Sequence, residues 1–435
     1  MLLSLAWRNV VRNGRRSAFT GAAVASAVVL ISWLVGFTYG AYDKMIDTAV
    51  HTRTGHLQVM REGTLEQPDP GKTVSDATEL ARRLSALQGV LAVSPRVQAE
   101  GLLVHGSELA PVDLIGVDPE AEGRVSTVPH RVMAGDKAVR WCREKMHGAE
   151  GWCAATGRGE FLPAGKPEGV VLGSGVAQRL RVTVGDELTV QVARAVGPAE
   201  RTLVVTGIVA AGSAEIAERG AWLNAATLNA LLGTEGPTEL AIVLHSIDDL
   251  KKTRDEARGL IGPGLVVHTW AERNPTLSNL IELMKAGRVV FFVLLAFLAV
   301  LSVANATLTS VLERKRQFGV MLALGTRPAA LVRLVLVEVA LLGLVAVAAG
   351  AVVAASIETF GRIHGWPMAL AGLDPRTLEE LALSGSTEDT VFFARMPPAG
   401  AALILGGVYT MFLATGLWAA LKVGRLQVLE ALRSR

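Results

Sequence analysis

The sequence predicts an integral membrane protein of the α-helical, four-span type, with a large α+β extracytoplasmic domain between spans 1 and 2. Three observations carry that expectation. Half of the 435 residues are apolar and only 19% are charged, with a mean hydropathy of +0.38, a balance too apolar for an ordinary soluble enzyme. Four apolar windows each reach the roughly 20 residues needed to cross a hydrocarbon core of about 30 Å. The first and second windows are separated by about 245 residues, enough to bury a core of their own. The net charge of +3 is small, and the basic residues bracket the apolar runs instead of pooling in one patch. That placement marks membrane topology and gives no sign of nucleic-acid binding.

Residues 1–16 read as a cytoplasmic, amphipathic N-terminal segment, with Arg8, Arg12, Arg15 and Arg16 and no acid. Span 1 follows at 17–41, and the first charge after it is Asp43. The positive-inside bias therefore puts the N-terminus in the cytoplasm. A cleaved signal peptide is the alternative, but the run is too long and lacks a small-residue cleavage pattern. Crossing from that start places the α+β domain, 42–273, outside. A stalk helix at 274–288 leads into span 2 at 289–312, a cytoplasmic segment at 313–328 and span 3 at 329–356. An outer loop at 357–398, span 4 at 399–421 and a cytoplasmic tail at 422–435 complete the order. The charges agree: from His364 to Pro398 the outer side holds Asp374, Glu379, Glu380, Glu388 and Asp389 against Arg376 and Arg395, whereas the tail holds Lys422, Arg425, Arg433 and Arg435 against Glu430.

Within the outer domain, GHLQVM at 55–60 alternates like a strand, and DATELARRLSAL at 76–87 has apolar residues at helical spacing. GLLVHG, VDLIGVD, DELTVQVARAV and RTLVVTGIVA alternate between Gly and Asp turn signals. Strands mixed with helix predict α+β and not a sandwich. Residues 134–169 are Gly-rich, charged and aperiodic, and predict a long surface loop or insertion. They hold the two cysteines, Cys142 and Cys153. Facing an oxidising compartment, the pair is a disulfide candidate worth about 3 kcal/mol. Free thiols, or a zinc site with His130 or His147, are the alternatives, although the spacing matches no zinc pattern. From Asn274, NPTLSNLIELMKAGRVV puts Leu277, Leu280, Ile281 and Met284 on one helical face and runs into span 2 without a breaker. Helical to Leu312, it measures roughly 55 Å, longer than the bilayer core, so part of it stands out as a stalk.

No catalytic, cofactor-binding or metal-ligating constellation emerges. GKT at 71–73 lacks the glycine a P-loop needs, and Gly173, Ser174 and Gly175 do not form a nucleophile elbow. The histidines are scattered, with His51 and His56 off the helical metal-pair spacing. Two polar residues inside spans call for a partner. Asn305 is expected to hydrogen-bond a neighbouring helix. Glu338 needs a partner or a water-lined cavity, and Arg333 or a neighbour's arginine is the expected partner. A proton relay through it would need a second acid or histidine in a span, and none accompanies it. ERKRQFGVMLALGTRP, 313–328, reads equally as a plain positive-inside loop or as a helix along the inner membrane face. In the helical reading Phe318, Met321, Leu322 and Leu324 form its apolar side, the Arg314 to Arg316 cluster meets anionic headgroups or an acidic partner, and Gly325 with Pro328 ends it.

The same segment resembles the loop after the second span of the FtsX-like permease family, the membrane subunits of MacB-type ABC transporters and of the LolC/LolE lipoprotein-release permeases. There E-R-x-R-E-I-G-x-x-R-A-L-G is typical. LAWRNVVRNGRRS at 5–17 and LQVLEALRSR at 426–435 resemble the family's opening and closing segments. GHLQV, LIGVDPEAE at 114–122 and VLGSGVAQRLRVTVGDELTV at 171–190 resemble its periplasmic domain, closer to the LolC/LolE branch than to MacB. Gln317 replaces the usual Glu, Leu322 a frequent Arg and Val428 the usual Pro, and the 134–169 insertion is foreign to the pattern.

The resemblance implies a four-span permease of the bacterial inner membrane with both termini cytoplasmic, paired with a second copy or a paralogue. It implies a separate cytoplasmic ABC ATPase that holds ATP and Mg and docks on Glu313, Arg314, Lys315, Arg316, Phe318, Gly319, Met321, Leu322, Leu324 and Gly325. This chain is then a non-enzymatic subunit without a cofactor of its own. Its partners are that ATPase, the lipid bilayer and a periplasmic carrier or adaptor, with no nucleic acid. The implied function is mechanotransmission that drives lipoprotein release; MacB-like efflux and FtsX-like control of a cell-wall hydrolase are the alternatives.

Overall fold

A computed structural model describes residues 8, 11–12, 14–147, 150–194, 197–209, 214–313, 315–367, 370 and 391–424. Arg314, the acidic loop residues Asp374, Glu379, Glu380, Glu388 and Asp389, and the closing segment 426–435 lie outside the described residues.

In chain order the helices used below are α1 (Gly14–Ala49), α2 (Ala77–Ser85), α3 (Pro119–Val125), α4 (Gly135–Lys145), α5 (Leu250–Arg258), α6 (Pro275–Glu313), α7 (Lys315–Ala323), α8 (Pro328–His364) and α9 (Pro398–Gly424). The strands are β1 (Leu57–Arg61), β2 (Val90–His105), β3 (Glu108–Val117), β4 (Gly169–Gly173), β5 (Glu187–Val192), β6 (Ala199–Val209), β7 (Gly220–Asn224), β8 (Glu239–Leu244) and β9 (Leu265–Thr269). They divide into a helical unit, from the described parts of Met1–Tyr42, Leu280–Trp366 and Phe393–Arg435, and a strand-rich unit, from those of Asp43–Asn279 and Pro367–Phe392.

Among the described residues, Ser17–Thr54, Pro328–His364 and Pro398–Trp418 are long and apolar enough to cross a membrane. α6 is a single helix of 39 residues, about 58 Å long at 1.5 Å per residue. α1 runs past residue 41 because neither Gly nor Pro occurs between Tyr42 and Thr54. It widens into a π-helical turn at Val50–Thr54 and stops at Gly55, whose φ of +68° a β-carbon would strain.

Val24 and Val28 of α1, Phe318 of α7, Val339 of α8, and Val408 and Phe412 of α9 share one buried cluster. Lipid tails are as apolar as these side chains, so close packing must supply the attraction, and small residues permit it. A Cβ on Gly350 would stand 2.9 Å from the Cβ of Val28, and one on Gly343 would stand 2.5 Å from the Phe412 ring. α1 and α6 are joined by Arg288, whose guanidinium lies 4.5 Å from the centre of the Tyr39 ring and 5.7 Å from that of Tyr42. Contacts of this kind contribute about 0.5–2 kcal/mol.

The main sheet of the strand-rich unit has nine strands in the order β3-β7-β4-β6-β5-β2-β8-β1-β9, and β3 pairs back onto β2. Strands β2 to β7 therefore pair in a closed ring, from which β8, β1 and β9 extend as a wing. β2 makes this possible through its 16 residues. Val90–Arg96 pairs with β8, and Arg96–His105 pairs with β3. Leu103, Val112, Leu114, Val170, Val190 and Leu223 are buried with the ring. Leu57, Val59, Leu240 and Ile242 are buried with the wing, where α2 adds Leu80 and Leu84 from one helical face.

Residues 134–169 are not the surface loop that their composition predicts. α4 and a short helical turn at Glu150–Cys153 occupy part of them, and Ala138, Trp141, Cys142 and Cys153 are buried in the ring's core. Positions 138, 141 and 142 stand at i, i+3 and i+4, a narrow apolar face set among charged neighbours. A disulfide joins Cys142 to Cys153, with the Cα atoms 5.5 Å apart.

Candidate functional site

Within the 313–328 segment, Lys315–Ala323 folds as α7. Gly325, with φ +90°, and Pro328 at the start of α8 close it, as expected for the helical reading. The four apolar residues of its expected face do not act alike. Phe318 is buried among the membrane helices with Leu331, Val335 and Val339, and Met321 and Leu322 pack against the same cluster. Gly319 is buried, whereas Leu324 is 82% exposed and Val320 is 47% exposed. The helix is thus anchored by one side and presents Val320, Leu324 and Gln317 on the other. Glu313, Lys315 and Arg316 have helical backbone.

Asn305 is exposed on α6, and its carbonyl accepts the Thr309 hydroxyl at 2.8 Å. Glu338 is half-buried on α8, and Arg333 is exposed. Among the described residues, no His, Cys, Asp and Glu group has the arrangement of a metal site.

A second constellation escapes the sequence entirely. Arg96, Glu122 and Glu239 are 1–2% exposed. The Arg96 guanidinium donates from Nε and Nη2 to the two Glu122 oxygens at 2.9 and 2.7 Å, a bidentate pair. The Ser94 hydroxyl donates to Glu122 at 2.9 Å. Arg96 Nη1 donates to the carbonyl of Arg53 in the π-turn and lies 3.8 Å from Glu239 Oε1, too far for a hydrogen bond. Burial pushes the Glu239 carboxyl above the usual carboxylate range, against the pull of Arg96. The Arg53 side chain meets Asp113 at 3.2 Å, and Asp113 also takes Arg219 at 3.0 Å. Arg96 and Glu122 lie 26 positions apart, so no local pattern in the sequence joins them.

Next to this cluster His56 is buried and accepts the Leu244 N–H at 3.1 Å through Nδ1. Burial first, then the neighbouring His51, lowers its pKa from 6.5 to about 4. A histidine whose folded pKa is depressed leaves the unfolded state to bind the proton first. Stability is therefore intact above pH 6.5 and falls as the pH drops from there towards about 4, by on the order of 2 to 3 kcal/mol. His56→Asn, whose side-chain oxygen can accept the same N–H, is expected to flatten the dependence of the urea midpoint over that window. An unchanged slope would show that His56 does not carry it.

Apolar helices joined to a strand-rich domain between the first two of them define a multi-helix membrane protein with an inserted globular domain. A model of the MacB-like periplasmic core domain matches residues 17–260, more than half of the chain, and a model of the FtsX-like permease C-terminal domain matches residues 289–428. The chain belongs to the FtsX-like, MacB-type family of ABC transporter permeases. It is 23% identical over 432 residues to the lipoprotein-releasing system transmembrane protein LolC of Xylella fastidiosa strain 9a5c, covering 96% of this chain and 93% of that one. It is 21% identical over 435 residues to LolE of Haemophilus influenzae, with coverages of 96% and 94%. The crystal structure of the periplasmic region of MacB from Actinobacillus actinomycetemcomitans aligns with 53% of this chain and 95% of its own, at 13% identity and a TM-score of 0.33.

Proposed function

We propose that this chain is the membrane subunit of a lipoprotein-releasing ABC transporter of the inner membrane. The observation that carries the reading is the likeness to LolC and LolE, named for a lipoprotein-releasing system, along 96% of the chain. α6 serves as span 2 between α1 and α8, which gives four spans and puts both termini in the cytoplasm. The strand-rich unit is then periplasmic. A second copy or a paralogue completes the permease, and a separate cytoplasmic ATPase binds ATP and Mg. The chain itself catalyses nothing.

The ATPase docks on α7. Phe318 anchors that helix in the membrane bundle, Val320 and Leu324 are presented to the partner, and the charges of Arg314, Lys315 and Arg316 strengthen the docking. Closure of the ATPase pair displaces α7, and the unbroken α6 carries the displacement outward to the periplasmic domain. That domain hands the lipoprotein to a periplasmic carrier.

Reversing both charges, Arg314→Glu with Arg316→Glu, tests the coupling in a complex reconstituted into proteoliposomes. ATPase affinity for the permease is expected to fall at least tenfold, about 1.4 kcal/mol, with ATP-driven lipoprotein release lost. Unchanged co-purification and unchanged release would overturn the docking site. ATP-driven export of a small molecule, with no lipoprotein released, would overturn the substrate class.

A further inference from the structure

The end of α1 is tied to the sheet by its own backbone. A helix end leaves carbonyls without intrahelical partners, and here the domain supplies the donors. The Thr127 N–H donates to the His51 carbonyl at 2.7 Å, the Gln58 side chain donates to the carbonyl of Thr54, and Arg96 donates to that of Arg53. The turn is π-helical, a geometry rare in helices and concentrated at functional sites.

Arg96 stands where three structures meet. It is the last residue of β2 paired with β8, opposite Glu239, and the first paired with β3, opposite Val117. Its remaining donors hold Glu122 at the start of α3. A planar guanidinium with five fixed N–H groups can hold a carbonyl and a carboxylate at once, which lysine cannot do with the same geometry. A second tie runs to the ring alone, from the Arg53 side chain to Asp113 on β3.

Stability alone does not account for this arrangement. A buried ion pair commonly adds little over well-packed apolar side chains of the same volume, and apolar residues would hold ring and wing together as well. They would not grip a backbone carbonyl of the turn that ends α1.

We propose that Arg96 is the positioning residue through which movement of α1 reaches ring and wing together, with the Arg53–Asp113 pair as a second link to the ring. The inference rests on the mechanotransmission reading and adds a route along α1 to the one along α6. It assigns transmission to a buried charged joint instead of to the apolar core around it.

The test uses the full chain with its co-purified ATPase in lipid nanodiscs, with spin-labelled cysteine pairs and doubly labelled chain diluted in unlabelled chain. One pair joins 403 on α9 to 187 in the ring, and the other joins 403 to 251 in the wing. Leu403 is exposed, as are Glu187 and Lys251, and the native cysteines are bonded and buried. In the native background both distances are expected to shift on adding ATP and vanadate. In Arg96→Met combined with Glu122→Met, which leaves neither charge of the pair unmatched, both shifts are expected to vanish while the ATPase still co-purifies. In Arg53→Gln the 187 shift is expected to shrink and the 251 shift to persist.

Shifts of native size in the double variant overturn the inference. Where that variant does not fold, unaltered shifts in Arg53→Gln overturn it. An absence of shifts in the native background defeats the mechanotransmission reading itself, and the inference falls with it.

Discussion

Arg96→Met alone is expected to lower the stability of the strand-rich domain by about 3–5 kcal/mol, the usual cost of stripping one partner from a buried ion pair. Glu122, 1% exposed, is left with the Ser94 hydroxyl at 2.9 Å as the hydrogen-bond partner described for its carboxylate. Glu239 is already pushed towards its neutral form by burial and adapts by keeping a proton. Pairing Arg96→Met with Glu122→Met is expected to restore most of the loss, since two apolar side chains of similar volume then face each other. Hydrogen exchange along β2 during urea titration of the solubilised chain reads both effects. Equal stability of the single variant and the native chain would mean that the pair is solvated, contrary to its burial.

Removing the disulfide is the second large effect. Cys142 and Cys153 are 11 positions apart and fully buried, and opening a loop of that size releases unfolded-state entropy worth about 3 kcal/mol. Cys142→Ala with Cys153→Ala adds the loss of two buried sulfurs from the ring's core. Reducing agent is expected to lower the thermal midpoint of the native chain and leave the double variant unmoved. Equal responses to reductant would show that the pair is unbonded in the isolated protein.

Much of the fold is legible in the residues because short-range patterns dictate it. β1, β3, β5 and β6 form where polar and apolar residues alternate, and α2 where Leu80 and Leu84 repeat at helical spacing. α4 is hidden because its apolar face is only three residues wide and is flanked by Asp136, Lys137, Arg140 and Arg143. The face of α7 is legible as apolar, but what it packs against is set by α8 and α9. Phe318 therefore anchors the helix where the sequence alone offered it to membrane or partner. The Arg96 cluster is the extreme case. Its members are brought together by strand register and by the chain's return through β8, and no local window contains two of the buried charges.

Because β3 closes onto β2, β9 is the sheet's one open edge among the described strands. It is five residues long, follows a turn at Gly264 with φ +78°, and passes at once into a capping box between Thr269 and Glu272. An unpaired edge is where a neighbouring chain adds its own strand and aggregation begins. Here that edge is too short, and too quickly wound into helix, to template another molecule. The sheet is thereby guarded against pairing edge to edge with a second copy of itself.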